Sequence, residues 1–265
     1  MEPIRVVVNG ALGKMGQEVA RALTHEPGLK IVGAVEEKVT QQYLPLADVS
    51  HPVPFSSELA SLLKSCHPNV LVDFTNAEAS IAAARIAAKE KVNLVIGTSG
   101  LSEENLAEIG QLCQANGIGA IVAPNFSLGA ALLIRLAKIA AGFFDHAEIV
   151  EMHHDEKVDA PSGTAIATAK AMSQAHGKPL IYHKAEREVI RNTRGGQIDG
   201  IAIHSLRLPG FMAGQEVIFS GRGETLSLRQ ETISRESYML GVILAIKEVP
   251  KHKGLIYGLD TLLKM

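Results

Sequence analysis

The chain has 265 residues, of which 46% are hydrophobic and 4% aromatic, and it contains no Trp. Its 26 basic and 28 acidic residues give a formal net charge of −2, which excludes a strongly basic nucleic-acid-binding protein. The sequence shows neither an apolar run near the ~20 residues of a membrane span nor a secretory leader pattern. We therefore expect a cytoplasmic protein that binds neither nucleic acid nor a membrane.

The first elements follow the order strand, glycine-rich turn, helix, strand and acid. Ile4 to Val8 is a short apolar run of the kind buried in a parallel sheet, and Leu29 to Val35 is predicted to be a second strand. The turn from Asn9 to Gly16 lies between them, and Glu36 follows the second strand. This order is typical of dinucleotide binding, in which glycines admit a pyrophosphate and the acid accepts ribose hydroxyls. Because the glycines are spaced GxxGxxG, a turn needed only for strand–helix packing is the alternative.

The alternation of strands and helices continues along the chain. Strands are predicted at Val70 to Phe74, Val92 to Ile96 and Gly119 to Ala123, and helices at 77–89 after Asn76, 103–116 after Ser102, and Leu128 to Phe144. Ligands of doubly wound sheets bind beyond the carboxyl ends of the strands. Two turns lie at such ends and are expected to line the nicotinamide side of the cofactor: Gly97-Thr98-Ser99 and Ala123-Pro124-Asn125-Phe126. Ordinary turn chemistry is the alternative for either one.

Residues 148–164, EIVEMHHDEKVDAPSGT, combine an apolar run with two histidines and a lysine. Pro161 prevents a continuous helix, and Ser162 is a good N-cap for the Ala-rich segment that follows. A helix start favours carboxylates, and His153 and Lys157 add proton donors. We predict a pocket for a small anionic substrate that needs a proton. If His153 and His154 both lie in a strand, they face opposite sides, unless the strand ends at His153.

The pattern changes after Gln197. Strands are predicted at Ile198 to Leu208, Glu216 to Ser220 and Glu224 to Gln230, followed by a helix from Ser234 to about Val249 and a last segment, Gly254 to Leu263, that rejoins the first domain. Alternating polar and apolar residues indicate one exposed face, which oligomerisation would cover. Lys184 to Gly196 is predicted to be a mobile loop. Cys66 and Cys113 are predicted to be reduced.

These elements predict an α/β fold with two domains. A doubly wound parallel sheet of the Rossmann type is expected in residues 1–126 and 235–265. A second α+β domain with an open, mostly antiparallel sheet is expected in residues 127–234. No metal site is predicted, because adjacent histidines lack the i, i+4 spacing of a zinc motif, although a metal-dependent hydrolase is one alternative.

The segment E-x-H-H-x-x-K-x-D-A-P-S-G-T-A, from Glu151 to Ala165, resembles the signature of the 4-hydroxy-tetrahydrodipicolinate reductase (dihydrodipicolinate reductase) family. The motifs NGALGKMG, VDFTN, IGTSG, APNFSLG and HSLRLPG extend the resemblance over nearly the whole chain. It implies NAD(P)H-dependent reduction of a cyclic dicarboxylate imine in diaminopimelate and lysine biosynthesis, by a homotetramer joined through second-domain sheets. A non-catalytic NAD(H)-sensing protein and a Rossmann dehydrogenase for another aspartate-derived substrate are the alternatives.

The resemblance also implies roles for individual residues. His153 and Lys157 would be the proton-donating catalytic residues. Substrate binding would fall on His154, Ser162, Gly163 and Thr164. Cofactor contacts would fall on Gly10, Ala11, Leu12, Gly13, Lys14, Met15, Glu36, Gly97, Thr98, Ser99, Ala123, Pro124, Asn125 and Phe126.

The cofactor preference depends on the residues after the acid. Some family members have a basic residue there that meets a 2′-phosphate, whereas this chain has Glu37, with Lys38 next. Two carboxylates repel a phosphate, so we predict a preference for NADH over NADPH. Use of both cofactors, with Lys38 contributing, is the alternative.

Overall fold

The computed structural model describes residues 2–46 and 51–263. The chain forms two compact units, one from Met1–Phe126 with Tyr238–Met265 and one from Ser127–Ser237. In chain order the strands and helices are β1 (Ile4–Asn9), α1 (Lys14–His25), β2 (Leu29–Val35), β3 (Phe55–Ser56), α2 (Leu59–Cys66), β4 (Val70–Asp73), α3 (Ala77–Lys89), β5 (Asn93–Ile96), α4 (Glu103–Asn116), β6 (Gly119–Val122), α5 (Leu128–Ala140), β7 (His146–His153), α6 (Gly163–His176), β8 (Gly196–Ile198), β9 (Ile201–Arg207), β10 (Ala213–Gly221), β11 (Glu224–Thr232), α7 (Met239–Glu248) and β12 (Gly254–Tyr257).

The first unit is built on a seven-stranded sheet with the order β12-β6-β5-β4-β1-β2-β3. Every adjacent pair of strands is parallel. Short runs of Val, Leu and Ile form these strands because both of their faces are buried. The strand order reverses between β1 and β4, and ligands bind at such a reversal in doubly wound sheets. The predicted parallel sheet is confirmed.

Side chains cap the helices that follow the strands. Asn76 accepts the N–H of Ala79 at the start of α3, and Ser102 forms a reciprocal capping box with Asn105 on α4. Gly117 ends α4 in the left-handed conformation, with φ of 70°. These caps agree with the sequence predictions. Asn76 and Ser102 lie where strands lead into helices, at the carboxyl edge of the sheet, whereas Gly117 precedes β6 at the opposite edge.

The second unit contains a five-stranded sheet with the order β11-β10-β7-β9-β8. The pairing of β7 with β9 is parallel and the other three pairings are antiparallel, which confirms a mostly antiparallel sheet. Helices α5 and α6 cover one face, where Ile149, Val217 and Phe219 are buried in their shared core. Because side chains alternate along strands, Val150 and Ile218 lie on the other face. None of the described helices of this unit packs on that face.

Two predicted elements of the second unit are wrong in extent. The strand predicted at 198–208 is a hairpin of β8 and β9, because Asp199 and Gly200 have positive φ values of 49° and 84° and reverse the chain. Helix α5 ends at Ala140 and does not reach Phe144. Beyond its end, Gly142 and Phe143 donate to carbonyls three residues back, which tightens the chain into a turn.

The segment after Ser234 also differs from its prediction. The carbonyl of Ser234 accepts from both the N–H and the hydroxyl of Ser237, which gives a 3₁₀ helix at Arg235–Tyr238. The α-helix therefore begins only at Met239. β3 and α2 lie in a segment for which no element was predicted. Residues 184–195 contain turns but no regular helix or strand, and their mobility stays a prediction.

Candidate functional site

The glycine-rich turn joins β1 to α1 at the carboxyl edge of the first sheet. Gly10 has φ of 77°, and a Cβ there would lie 2.6 Å from the carbonyl oxygen of Phe74. A Cβ at Gly16 would lie 2.0 Å from the carbonyl oxygen of Gly10, so only glycine lets α1 start this close to the turn. Gly13 is the N-cap of α1 and brings no side-chain acceptor. The N–H groups of the first helical turn are therefore available to an anion.

Glu36, which directly follows β2, binds the backbone of this turn. One of its carboxylate oxygens accepts the N–H of Leu12 at 3.0 Å, and the other accepts the N–H of Glu37 at 3.1 Å. A cavity of about 600 Å³ lies beside them, lined in part by Gly10, Glu36 and Glu37. A glycine turn without room for a Cβ, next to an acid and the start of a helix, fits the pyrophosphate and ribose of a dinucleotide. The predicted residues from Gly10 to Met15 form this turn and the first two residues of α1.

Asp73 lies at the end of β4, where the strand order reverses, and is 1% exposed. Its Oδ2 accepts from Asn9 Nδ2 at 2.6 Å, and its Oδ1 accepts from Thr98 Oγ1 at 2.6 Å. The hydroxyl of Thr75 donates to the same carboxylate at 3.0 Å. Asp73 therefore joins the glycine-rich turn to the turn after β5.

The remaining predicted cofactor residues lie at the ends of β5 and β6. A Cβ at Gly97 would lie 2.0 Å from the ring of Phe74, so this position requires glycine. The Phe74 ring contacts that of Phe126, with centroids 5.8 Å apart. Ser99 and Pro124 are exposed, Asn125 is partly buried, and Ala123 is buried. The fold thus brings all the predicted cofactor residues to the carboxyl edge of one sheet.

In the second unit, β7 ends at His153, and His154 lies beyond the strand, where it is exposed. Glu151 and His153 are two residues apart and share the face of the sheet that α6 covers. His153 Nδ1 is 2.6 Å from Glu151 Oε2. The strand therefore ends at His153, which is the condition under which the two histidines need not lie on opposite faces of one strand.

The side chain of Glu151 is 0% exposed, and four nitrogen atoms of three residues hydrogen-bond to it. Besides His153, it accepts from both terminal nitrogens of Arg207, at 2.8 and 3.0 Å, and from the N–H of Ser162 at 3.2 Å. Burial alone would raise the pKa of Glu151, but the hydrogen bonds from His153 and Arg207 outweigh burial and lower the pKa to about 2. Glu151 is therefore a carboxylate, and an acceptor only, at neutral pH.

The loop from His154 to Ser162 carries Lys157, whose Nζ lies 2.6 Å from Asp159 Oδ1. This hydrogen bond lowers the pKa of Asp159. The loop ends in a cis Ala160–Pro161 peptide, and Ser162 then accepts the N–H of Ala165 as the N-cap of α6. The first turn leaves the N–H groups of Gly163 and Thr164 without a helical acceptor. This helix start can bind a carboxylate.

In the described part of the chain, no group of three or more His, Cys, Asp or Glu residues is placed to hold a metal ion. None of the described helices is both long and apolar enough to cross a membrane. Cys66 and Cys113 are buried and unbridged, and burial raises the pKa of Cys113 to about 11.

Comparison with known proteins covers both units. Residues 4–126 match the family model described as dihydrodipicolinate reductase, N-terminus, and residues 129–263 match its C-terminus counterpart. The chain is 52% identical over 265 residues, all of both chains, to the 4-hydroxy-tetrahydrodipicolinate reductase of Dehalococcoides mccartyi. The chain belongs to the 4-hydroxy-tetrahydrodipicolinate reductase family. The resemblance stated from the sequence is confirmed.

Two further relatives agree with this membership. The 4-hydroxy-tetrahydrodipicolinate reductase of Bacillus subtilis is 40% identical over 266 residues, covering 99% of this chain and 98% of its own. A solved structure described as dipicolinate-bound dihydrodipicolinate reductase from Paenisporosarcina sp. TG-14 superposes with a TM-score of 0.89 at 38% identity. The match covers 98% of this chain and 100% of that one.

Three residues of this reductase-family chain have contacts that sequence reasoning did not anticipate. Asp73, Glu151 and Arg207 lie within recognised motifs, but no role was predicted for them. Asp73 is an acid at the end of an otherwise apolar strand, and Glu151 is an acid between apolar Val150 and Met152 in β7. A buried acid needs donors, so such a position marks a hydrogen-bonded network.

Proposed function

We propose that the chain catalyses the NAD(P)H-dependent reduction of 4-hydroxy-tetrahydrodipicolinate to tetrahydrodipicolinate, a step of diaminopimelate and lysine biosynthesis. The observation that carries the proposal is His153, held by a buried carboxylate in the same unit as the open helix start of α6. When bound, the reduced nicotinamide supplies the hydride. The chain's own residues bind the dicarboxylate and deliver the proton. Family membership supports this reaction.

Substrate binding is proposed for the start of α6. The N–H groups of Gly163 and Thr164 offer hydrogen bonds to a carboxylate, and the positive end of the helix dipole adds attraction. His154 is exposed nearby in sequence and offers a further donor. Ser162 was also predicted to bind substrate. Its hydroxyl accepts from Ala165 and its N–H donates to Glu151, so we propose that it orients the helix start.

Proton delivery is proposed for His153 and Lys157. Loss of the 4-hydroxyl group as water gives a conjugated imine, and hydride addition to this ring leaves an electron-rich enamine, which needs a proton on carbon to complete the reduction. An imidazole suits this task because its charge changes near neutral pH. Lys157 keeps its ammonium group beside Asp159, so it provides a second N–H donor and a positive charge for the substrate.

A preference for NADH over NADPH is supported by the charges around the cavity at Glu36. The lining includes three carboxylates, Glu36, Glu37 and Glu78, and no Lys or Arg among the described residues that form it. A 2′-phosphate placed beside the ribose would meet these carboxylates, and like charges repel. Lys38 follows Glu37 but does not line the cavity. We propose NADH as the better cofactor.

A homotetramer is proposed through the uncovered face of the second sheet. That face presents apolar side chains, among them Val150, Leu206 and Ile218, between polar ones. A sheet face without a covering helix is a common association surface. The location in the cytoplasm stays a prediction.

A coupled assay tests the reaction. The substrate is generated in situ from pyruvate and aspartate semialdehyde by the synthase, and oxidation of NADH or NADPH is followed by absorbance. We expect oxidation that requires both precursors, with a lower KM for NADH. Folded chain that binds NADH but oxidises neither cofactor would overturn the proposed reaction. A clearly lower KM for NADPH would overturn only the cofactor preference.

A further inference from the structure

Glu151 and Arg207 form a fixed support beneath His153. Arg207 lies directly across from His153 in the register of β9 with β7, and its two terminal nitrogens bond to the two oxygens of Glu151. The N–H of Ser162 also donates to Glu151, so α6 and both strands meet at this carboxylate. We infer that Glu151 and Arg207 are positioning residues that hold His153 with Nδ1 protonated and leave Nε2 to exchange the proton.

The direction of the hydrogen bond follows from the acceptor. A carboxylate has no proton to give, so Nδ1 must donate across the 2.6 Å separation. The neutral ring then carries its single proton on Nδ1, and its lone pair lies on Nε2. The inference rests on the proposed function, because a proton-consuming reaction gives Nε2 its task.

Arg207 keeps the support electrically balanced. A buried carboxylate whose only ionic partner was His153 would be left without a counter-charge whenever the ring gave up its proton. The guanidinium pairs with Glu151 through a two-point contact, so the carboxylate keeps a counter-charge throughout the proton step. Arg207 Nη2 also donates to the carbonyl of Asp159 at 2.7 Å. Because the Asp159 side chain holds Lys157, one guanidinium orders both proposed proton donors.

The proton step balances on these atoms. Imidazolium His153 gives up the proton on Nε2, the N–H bond breaks, and a C–H bond forms at the enamine carbon of the substrate. The neutral ring keeps its proton on Nδ1, bonded to Glu151. A proton from solvent later returns to Nε2.

The first test is the tautomer of His153 in the unmodified chain. ¹⁵N NMR of histidine-labelled protein, at a pH where the ring is neutral, distinguishes a protonated Nδ1 from a protonated Nε2. The His153 signals are identified by their loss in His153→Gln. We expect the Nδ1–H tautomer. An Nε2–H tautomer in folded protein would overturn the inference, whatever the result of the coupled assay.

The second test compares variants that fold. The Glu151→Gln amide offers a donor as well as an acceptor, so His153 should populate both tautomers, and kcat should fall roughly 10- to 100-fold with KM changed less. Arg207→Lys keeps the charge but loses the two-point contact, and an intermediate kcat is expected. A kcat for Glu151→Gln within about twofold of the unmodified chain would overturn the inference. If Glu151→Gln does not fold, the tautomer measurement and the kcat of Arg207→Lys still test the inference.

Glu148→Gln is the matched control. Glu148 lies on the same strand, on the opposite face, and accepts from His204 Nε2 at 2.8 Å and from Arg194. This second Glu–His–Arg group repeats the chemistry away from His153. The control should leave kcat and the His153 tautomer unchanged. Failure of the unmodified chain in the coupled assay would count against the proposed reaction and not against the tautomer assignment.

Discussion

A buried carboxylate joins a strand end to a loop in each unit of the molecule. Asp73 binds Asn9 and Thr98 in the first unit, and Glu151 binds His153 and Arg207 in the second. A buried network is sensitive to the loss of one member, because the partners left behind are unsatisfied. We therefore expect Asp73 to act on cofactor binding and Glu151 to act on proton transfer.

Asp73→Asn is expected to weaken NADH binding. The new amide carries N–H donors where the carboxylate now accepts from Asn9 and Thr98, so one of the two loses its acceptor. Loosening the two turns by about 1–2 kcal/mol corresponds to a Kd roughly 5- to 30-fold higher. Titration calorimetry with NADH measures the change.

Asn69→Ala is the control at the other end of β4. Asn69 Oδ1 accepts the N–H of Arg5 at 2.8 Å, so its loss also removes a hydrogen bond from this strand. We expect lower thermal stability but an unchanged affinity for NADH. An equal loss of affinity in both variants would contradict a specific role of Asp73 at the cofactor turns.

Among the elements, α6 combines a stability role with the proposed substrate-binding role. Its N-cap hydroxyl, at Ser162, satisfies the N–H of Ala165 and orients the free N–H groups beside it. Ser162→Ala should cost about 1 kcal/mol of unfolding free energy. A misoriented helix start should also raise the KM for the dicarboxylate, and about 1 kcal/mol corresponds to roughly fivefold. Denaturant unfolding and steady-state kinetics measure the two effects.

Ser102→Ala provides the comparison for that effect. Ser102 caps α4 in the same way, accepting the N–H of Asn105 at 3.2 Å, but it lies in the first unit and outside the predicted substrate residues. A similar loss of stability is expected, with no change in the KM for the dicarboxylate. If Ser162→Ala leaves this KM unchanged as well, α6 does not bind the substrate through its first turn.

Elements with one dominant local signal were predicted closely from the sequence. β2, Leu29–Val35, matches its predicted bounds because a strand buried on both faces is mostly apolar, and Lys30 is its one charged residue. The hairpin of β8 and β9 was missed because Asp199 and Gly200 interrupt an apolar pattern that resumes after them. The turn formed by these two residues decided the local structure there, and the apolar periodicity of the segment did not.

The residues of the site likewise fall into those that local sequence could place and those whose contacts depend on the fold. Residues within one turn or motif, such as Gly10 to Met15, could be placed from local sequence alone. The contacts of Asp73 with Asn9 and of Glu151 with Arg207 span 64 and 56 residues. The pattern of one sequence carries no signal for such distances, because the fold decides which strand ends meet.

At the scale of the whole molecule, the two units have separate cores and separate proposed tasks. The first encloses a core around its parallel sheet, and the second encloses a core between its sheet and α5 with α6. Cofactor residues were predicted in the first and substrate residues in the second. The second sheet keeps one face uncovered by the described helices, and this is the face through which we propose that copies of the chain associate.

Ile218→Lys tests that association. Ile218 lies on the uncovered face, opposite Glu148 in the register of β10 with β7, so a lysine there gains an acidic neighbour and the single chain should still fold. In a symmetric assembly every copy carries the substitution, so a buried charge is repeated at each sheet contact.

Light scattering should give four chain masses of 28.2 kDa for the unmodified protein and fewer for Ile218→Lys. Ile139→Lys, at an exposed position on α5, is the control and should remain a tetramer. An unmodified protein of one chain mass, or an Ile218→Lys variant that stays tetrameric, would exclude this face as the main interface.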